Sequence, residues 1–199
     1  ADLRAMAQQV PKYGNDIAEV DVLAVALTDF YHRQVVKDKD FWHKPFTSAF
    51  MGISNYIPMG TVIGATPDGR KAGEPLTEGI SPYAGTDISG PTAAMRSVAR
   101  INHESHSGGT LLNLKLSPDA LTSERDLANL ASLIRAYFDL GAFHVQFNVV
   151  DAKTLRDAQA NPDKYRNLLV RVAGYSTRFV VLSPEVQDAI IARYTHTTL

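Results

Sequence analysis

The chain has no cysteine among its 199 residues. This absence excludes disulfides, iron–sulfur ligation by cysteine and thiolate chemistry within the chain. An excess of either charge is also missing, because 20 basic and 21 acidic residues are spread along the sequence and give a net charge of −1. The composition therefore offers no electrostatic basis for binding nucleic acid or an anionic membrane.

Long apolar runs are absent as well. No run approaches the length of a membrane span, and no charged segment followed by an apolar core opens the chain. We therefore expect a cytoplasmic protein. The chain starts Ala1-Asp2-Leu3 without methionine, which suits a processed or trimmed start. A length of 199 residues with 45% hydrophobic residues is enough for one domain with a core.

Nucleotide and metal motifs are weak or missing. Neither G-x-G-x-x-G nor G-x-x-x-x-G-K occurs, so no phosphate cradle is indicated. Residues 102–109 read NHESHSGG, but the spacing is H-E-x-H rather than H-E-x-x-H and the segment is a Gly/Ser-rich loop. Solvated loop histidines are the commoner outcome of such a pattern. We predict no metal site.

Helical and strand patterns alternate along the chain, which predicts an α/β fold. Apolar spacing predicts a helix over 17–36, with Asp16 and Glu19 as a capping box. The aromatic and Thr/Ser-rich segment 46–56 predicts a strand. An irregular loop follows over 76–90, and Pro91 begins the next helix.

The second half repeats the alternation. Residues 110–116 predict a strand with Leu112 on one face and Asn113 and Lys115 on the other. Ser123 with Asp126 then predicts a capped helix that ends at a glycine, with an apolar stripe formed by Leu127, Leu130, Ala131, Ile134 and Phe138. Asp151 and Ser183 begin two further helices.

Between the helix capped by Ser123 and the helix that begins at Asp151, a strand is predicted over 143–150. It alternates apolar residues with His144, Gln146 and Asn148. A polar strand face usually points to water, and that is the simple interpretation here.

Near the C-terminus, an apolar run over 168–173 leads into Gly174, and a second β-prone run over 178–182 leads out. This pattern predicts a hairpin with Gly174 at its tip. An ordinary explanation is a β-turn glycine that tolerates positive φ.

Residues 171–179, RVAGYSTRF, together with the helix that follows, resemble the radical-bearing segment of the glycyl radical enzymes, the family of pyruvate formate-lyase, choline lyase and glycerol dehydratase. Further similar blocks are PKYGND (11–16), ATPDGRKAGEPL (65–76), SPYAGTD (81–87) and GPTA (90–93). These blocks are more similar to the dehydratase and C–X lyase branch than to pyruvate formate-lyase. They correspond to the C-terminal part of a much longer family member.

The resemblance implies that Gly174 loses an α-hydrogen and stores an unpaired electron. Its α-carbon must become planar between an amide nitrogen that donates electron density and a carbonyl that withdraws it, and a side chain would clash with both peptide planes. Ala173, Tyr175 and Ser176 complete the implied radical loop, and the Gln146 strand would lie beside it and hold its backbone.

The implied fold is the C-terminal part of a ten-stranded β/α barrel, with the glycyl radical loop at its C-terminal end. We expect residues 1–109 to supply barrel elements and a long loop, and 110–199 to form the glycine radical domain. Asn55 and Tyr56 are candidate substrate-cavity residues, although an ordinary core tyrosine is commoner.

The partners are also implied by the family. The reactive cysteine lies on another chain, so this chain is not competent alone. A radical S-adenosylmethionine activase with a 4Fe–4S cluster installs the radical, no cofactor is bound, and the substrate is a small molecule. We expect an oligomeric complex and no nucleic-acid or membrane partner.

Three kinds of function fit these features. The first is the radical-storing part of a split or fragmented dehydratase or C–X lyase. The second is a spare-part protein that repairs an oxygen-damaged lyase, and the third is a catalytically dead binding domain. Pyruvate formate-lyase activity is a further alternative, which Ala173 and Ser176 disfavour because they depart from its pattern around the glycine.

Overall fold

A computed structural model of the protein describes residues 2–198, which form a mixed α/β fold. The α-helices of this part of the chain are α1 (Asp2–Gln9), α2 (Ala18–Val35), α3 (Tyr56–Val62), α4 (Pro91–Ala99), α5 (Glu124–Asp139), α6 (Ala152–Ala160) and α7 (Pro184–Ala192). The strands are β1 (Asn113–Leu116), β2 (Gln146–Val149), β3 (Leu169–Arg171), β4 (Ser176–Arg178) and β5 (Thr195–His196). Short 3-10 turns cover His103–His106, Pro118–Leu121, Pro162–Tyr165 and Phe179–Val181.

The strands form two small sheets. A parallel sheet has the order β2-β1-β5, and its register places Asn113 opposite Gln146 and Lys115 opposite Asn148. The second sheet is the antiparallel hairpin of β3 and β4, with Val170 opposite Thr177. Because the register is fixed, the polar residues of β1 and β2 lie side by side on one face.

Two apolar clusters hold these elements together. The first lies between α4, β1 and α5 and includes Met95, Val98, Leu112, Leu114 and Tyr137. The second lies beneath the hairpin, between α6 and α7, and includes Leu155, Val170, Val172, Phe179 and Ile190. The hairpin therefore rests on a core of its own. Within residues 2–198, no helix has both the length and the apolar character needed to cross a membrane.

Two local capping signals are confirmed in the second half, whereas Ser183 precedes α7 without a side-chain cap bond. The Ser123 hydroxyl accepts a hydrogen bond from the Asp126 amide (3.2 Å), and the Asp126 carboxylate accepts one from the Ser123 amide (2.9 Å). Gly141 follows α5 with φ 95°. Asp151 caps α6 by accepting from the Thr154 amide at 2.6 Å. These ends are fixed by neighbours in sequence.

The capping box predicted for α2 is wrong. Ile17 is the N-cap and makes no side-chain cap bond, while Asp16 has a positive φ of 55°. The Asp16 carboxylate instead forms ion pairs with Arg96 (2.8 Å) and Arg100 (2.7 Å). Two arginines in and directly after α4 therefore bind the Asp16 carboxylate, which makes no cap bond to α2.

The strand predicted over 46–56 is also wrong. Phe50 makes a single parallel bridge to Thr110, and α3 begins at Tyr56. Ile53 has φ 53°, which interrupts any extended backbone in this segment. The β-prone composition is therefore overridden by the backbone path.

The apolar face predicted for α2 exists but is exposed. Leu23 and Leu27 are each 68% exposed and Phe30 is 54% exposed. The buried residues of the helix are Asp21 and Thr28.

Part of the apolar stripe predicted for α5 is also exposed to solvent. Leu127 and Phe138 of its predicted stripe are 54% and 43% exposed, whereas Tyr137 is buried. The stripe prediction is wrong at these two positions because the helix contacts the first cluster through the neighbouring face.

The prediction of solvated histidines at 102–109 is wrong. His103 and His106 are both buried. A His103 ring nitrogen lies 2.7 Å from the Thr110 hydroxyl, and a His106 ring nitrogen lies 2.6 Å from the Ser48 hydroxyl. Burial lowers the pKa of both rings, which favours their neutral forms.

Candidate active site

Gly174 lies at the tip of the hairpin, as predicted. Its φ is 77°, and the Val172 amide closes the turn by donating to the Tyr175 carbonyl at 2.9 Å. A side chain placed on Gly174 would meet no atom within 4 Å, and the residue is exposed. Backbone conformation, and not crowding by other parts of the chain, is thus the local reason for glycine here.

The first arm of the hairpin, which leads into Gly174, is held by two amide side chains of β2. Asn148 accepts from the Arg171 amide (2.7 Å) and donates to the Arg171 carbonyl (2.7 Å). The Gln146 side-chain oxygen accepts from the Gly174 amide at 3.1 Å and from Arg171 Nε at 3.0 Å. Both amides are buried, so the prediction that the polar face of this strand points to water is wrong. The interpretation that they hold the loop backbone is confirmed.

The second arm, which leads out of Gly174, makes far fewer side-chain contacts. Tyr175 is 42% exposed and Ser176 is also exposed. The Ser176 hydroxyl accepts from Arg171 across the hairpin at 3.2 Å. Ala173, by contrast, is buried on the first arm. The loop is therefore anchored on one side and open on the other.

A buried ion pair supports the first arm from below. Arg193, which follows α7, donates to the Val172 carbonyl (2.9 Å) and to the Arg171 carbonyl (3.3 Å). The same guanidinium pairs with the Glu78 carboxylate at 2.5 Å, and both side chains are less than a tenth exposed. A buried charge of this kind is retained only when it is paired and hydrogen-bonded.

A chain of amides connects Glu78 to Gly174. Asn113 donates its side-chain nitrogen to the Glu78 carboxylate, and Gln146 donates its nitrogen to the Asn113 side-chain oxygen. The Gln146 oxygen then faces the Gly174 amide. Each donor in this series of hydrogen bonds meets an acceptor on the next residue, as buried polar networks require.

The buried charges have shifted pKa values. Burial raises the pKa of Glu78 to about 7, although Arg193 opposes the shift. Burial, with a smaller contribution from Arg193, lowers the pKa of Lys115 to about 8. The Lys115 ammonium donates to the Ile191 carbonyl at 2.8 Å, at the C-terminal end of α7.

A cavity of about 40 Å³ lies between these groups, and its lining includes Tyr56, Glu78, Asp87, Asn113, Lys115 and Arg193. Its size suits a few water molecules and not an organic substrate. Burial and the neighbouring Glu78 raise the pKa of Tyr56 to about 12. Asn55 is exposed and does not line this cavity. Of the two candidate cavity residues, the structure brings only Tyr56 near the loop network.

Sequence reasoning missed Glu78 and Arg193. Glu78 lies in an irregular loop, and Arg193 follows a helix, so neither position carries a local signal. The polar alternation of the two strands was a signal for Asn113 and Gln146, because two such strands in parallel register bring their amides together. Among residues 2–198, no group of three or more histidine, aspartate or glutamate side chains is placed to hold a metal ion.

Comparisons with known proteins identify the family of the chain. A family model described as "Glycine radical" matches residues 76–180, and one described as "Pyruvate formate lyase-like" matches residues 1–60. Trans-4-hydroxy-L-proline dehydratase of Clostridioides difficile is 40% identical over 193 residues, which cover 97% of this chain and 24% of the relative. Isethionate sulfite-lyase of Bilophila wadsworthia is 38% identical over 208 residues, which cover 98% of this chain and 24% of the relative.

A solved structure of the B12-independent glycerol dehydratase from Clostridium butyricum superimposes with a TM-score of 0.96 at 48% identity. The match covers 99% of this chain and 25% of that one. The chain thus spans about a quarter of the length of the relatives it matches. Since the glycine radical match covers more than half of the chain, the protein belongs to the glycyl radical enzyme family.

Proposed function

We propose that this chain is the radical-storing C-terminal part of a glycyl radical enzyme of the dehydratase or C–X lyase type, with Gly174 as the radical site. One observation carries the proposal. A hairpin-tip glycine has its amide bound by a buried glutamine (3.1 Å) in a chain that has no cysteine of its own.

The local geometry suits a stored radical. The Gly174 amide nitrogen donates electron density to the α-carbon, and the acceptor oxygen of Gln146 polarises the N–H bond in the direction that assists this donation. The absence of a side chain leaves both adjoining peptide planes free to become coplanar with the radical carbon. A glycyl radical is therefore favoured over one at a substituted residue.

The reactive sulfur would come from a second polypeptide. One hydrogen atom would pass from that cysteine to the Gly174 radical, which restores the glycine Cα–H bond and leaves a thiyl radical. The thiyl would take a hydrogen atom from the substrate, the leaving group would depart, and the product radical would recover the hydrogen from the thiol. The final transfer from Gly174 back to the thiyl regenerates the stored radical.

Two features of the structure support an incomplete enzyme. Gly174 is exposed in the chain, although a stored radical needs protection from oxygen. The apolar face of α2 is also exposed, with Leu23 and Leu27 both 68% accessible. We propose that the missing chain covers both and completes a ten-stranded barrel to which residues 1–109 contribute, while 110–199 form the radical domain.

Activation would require a radical S-adenosylmethionine activase with its own 4Fe–4S cluster. The activase would remove one hydrogen atom from the Gly174 α-carbon. Tyr175 and Ser176, on the open arm, are exposed beside the glycine and therefore accessible to it. Substrate class, oligomeric state and cytoplasmic location remain predictions from the sequence.

The repair-protein and pyruvate formate-lyase alternatives have weaker support. The chain keeps α2 and the segment before it, which match the lyase-type family model over residues 1–60 and which a radical cap alone would not need. Its relatives include dehydratases and a sulfite-lyase. The split-enzyme proposal accounts for both facts.

Anaerobic electron paramagnetic resonance (EPR) after activase treatment tests the assignment. We expect a doublet from the single α-hydrogen in the wild type and none in Gly174→Ala. Gly141→Ala is the matched control, because Gly141 also has a positive φ (95°) and a methyl group added there would meet no atom within 4 Å. An undiminished doublet in Gly174→Ala contradicts the proposal.

A further inference from the structure

We propose that Gln146 is a positioning residue that controls the opening of the glycine loop. The inference rests on the proposed function, in which an activase acts on the glycine when the tip of the loop lifts away from Gln146. Its basis is one buried side chain that binds the loop at its tip. The Gln146 oxygen accepts from the Gly174 amide at 3.1 Å, and its nitrogen lies 3.5 Å from the Val172 carbonyl.

The orientation of the Gln146 amide is dictated by its neighbours. The Glu78 carboxylate accepts from the Asn113 nitrogen, so the Asn113 oxygen is turned toward Gln146. That oxygen can only accept, and it therefore takes the Gln146 nitrogen as donor. The Gln146 oxygen is left facing Gly174. The acceptor for the glycine amide is thus set in place from Glu78 through two buried amides.

The other anchors hold the base of the loop. Asn148 binds the amide and carbonyl of Arg171, and Arg193 binds the carbonyls of Arg171 and Val172. Neither contacts Gly174. A movement that lifts the tip and leaves β3 in the sheet therefore breaks the contact from Gln146 to Gly174 while the base contacts persist.

The open arm makes such a movement feasible. Tyr175 and Ser176 are exposed, and a methyl group placed on Gly174 would touch nothing within 4 Å. Among the described residues, Ala173 beside the tip is buried and resists lifting, whereas a side chain on Gly174 itself would meet open space. The hydrogen bond from Gly174 to Gln146 is the polar contact that lifting of the tip must break, so its loss should raise the open population.

Gln146→Leu removes the acceptor and keeps a similar volume. A lost hydrogen bond of typical strength corresponds to a rise of about tenfold in the open population. In the complete enzyme that contains this chain, we expect the EPR doublet to grow about tenfold faster with limiting activase. The doublet should also disappear faster in air, because both reactions pass through the open loop.

Gln187→Leu is the matched control. Gln187 is also a buried glutamine, and its nitrogen donates to the Phe179 and Leu182 carbonyls at 3.1 Å each, beyond the second arm. Its replacement should lower the midpoint of thermal unfolding without accelerating activation. A purely structural role for Gln146 would behave in the same way as this control.

Hydrogen exchange at the Gly174 amide tests the contact independently of the radical. We expect about tenfold faster exchange in Gln146→Leu and an unchanged rate at amides within α5, which also shows that the variant is folded. Gln146→Met repeats the test with a flexible side chain should the leucine variant unfold.

The outcomes separate the two proposals. A wild type without a doublet contradicts the proposed function, and the exchange rate still decides the role of Gln146. A wild type with a doublet, combined with activation and exchange rates in Gln146→Leu within twofold of wild type, overturns the inference. Equal acceleration in Gln187→Leu overturns it as well.

Discussion

The hairpin buries its apolar residues, whereas the helix α2 exposes them. Val172 and Phe179 of the hairpin segment are fully buried against α6 and α7. Leu23 and Leu27 of α2 lie on a regular helical face, yet both are 68% exposed. The helix is instead fastened by a buried carboxylate, since Asp21 accepts from the Ser97 hydroxyl at 3.0 Å and pairs with Arg100.

This difference separates an element that is covered within the chain from one that is not. The hairpin has its own core and a polar network that lies within the chain, so its loop is held in shape without a partner. The apolar residues on this face of α2 recur at helical spacing and are exposed. Such a surface is typical of an interaction site. The hairpin is thus covered within the chain, whereas the apolar face of α2 is left uncovered by the described residues.

The largest effect should come from the core beneath the hairpin. Leu155 is fully buried there, so Leu155→Ala should lower the free energy of unfolding by about 2–5 kcal/mol. Urea denaturation followed by circular dichroism measures the loss. Leu169→Ala is the control, because Leu169 lies on β3 but is 65% exposed. Equal losses in the two variants would show that the hairpin is not closed within the chain.

A large effect is also expected at the buried ion pair. Arg193→Met leaves Glu78 without its partner and should reduce the free energy of unfolding by about 3 kcal/mol at pH 8. The loss should be smaller at pH 6, since Glu78 has a raised pKa of about 7 and then binds a proton. Arg166→Met, whose ion pair with Asp163 is exposed, should leave unfolding unchanged. A loss at Arg193 that does not depend on pH would contradict this account of Glu78.

The contribution of Glu78 and Lys115 to stability should pass through a minimum between about pH 7 and 8, added to a rise in the acid range from the lowered pKa values of buried His103 and His106. Glu78 has a folded pKa of about 7 against 4.5 in the unfolded state, so the folded protein binds more protons between these values and loses stability as pH rises. Lys115 has a folded pKa of about 8 against 10.5, so the unfolded state binds more protons and stability rises again above pH 8.

Urea midpoints measured from pH 5 to pH 10 test this curve. Glu78→Gln should remove the fall on the acid side, and Lys115→Met should remove the rise on the alkaline side. A difference in urea midpoint between wild type and Glu78→Gln that does not change from pH 5 to pH 8 would contradict the raised pKa of Glu78.

The smallest effect on folding is expected on α2. Leu27→Ser should leave the urea midpoint of the isolated chain unchanged, because the side chain is already 68% exposed. The same change should weaken association with a cysteine-bearing partner chain and reduce binding of a hydrophobic dye. Isothermal titration with that partner measures the first effect. A marked loss of folding stability would mean that this face is packed within the chain.

The sequence predicted those parts of the fold that depend on neighbouring residues. The Ser123 cap of α5, the Asp151 cap of α6 and the hairpin around Gly174 are all confirmed, because turn and cap chemistry acts over a few positions. The cap predicted at Asp16 failed because Arg96 and Arg100, remote in sequence, bind its carboxylate.

The residues of the candidate site could likewise be predicted only where their signal is local in sequence. The hairpin glycine could be predicted from its motif. The β2 amides beside it followed only from the family resemblance, because alternation alone predicted that they face water. Glu78 and Arg193 could not be predicted, because they act through tertiary contacts: Arg193 donates to the loop carbonyls and pairs with Glu78. The same limit explains the strand wrongly predicted over 46–56, where Ile53 turns the backbone out of the extended region.

Controlled exposure to oxygen tests the central claim most directly. The complete enzyme is activated anaerobically, exposed to air, and the mass of this chain is measured. A radical stored at Gly174 predicts cleavage of the backbone at that residue, with fragments that end at Ala173 or begin at Tyr175, and no cleavage in Gly174→Ala. An intact chain, or cleavage at another residue, would contradict the assignment of Gly174 as the radical site.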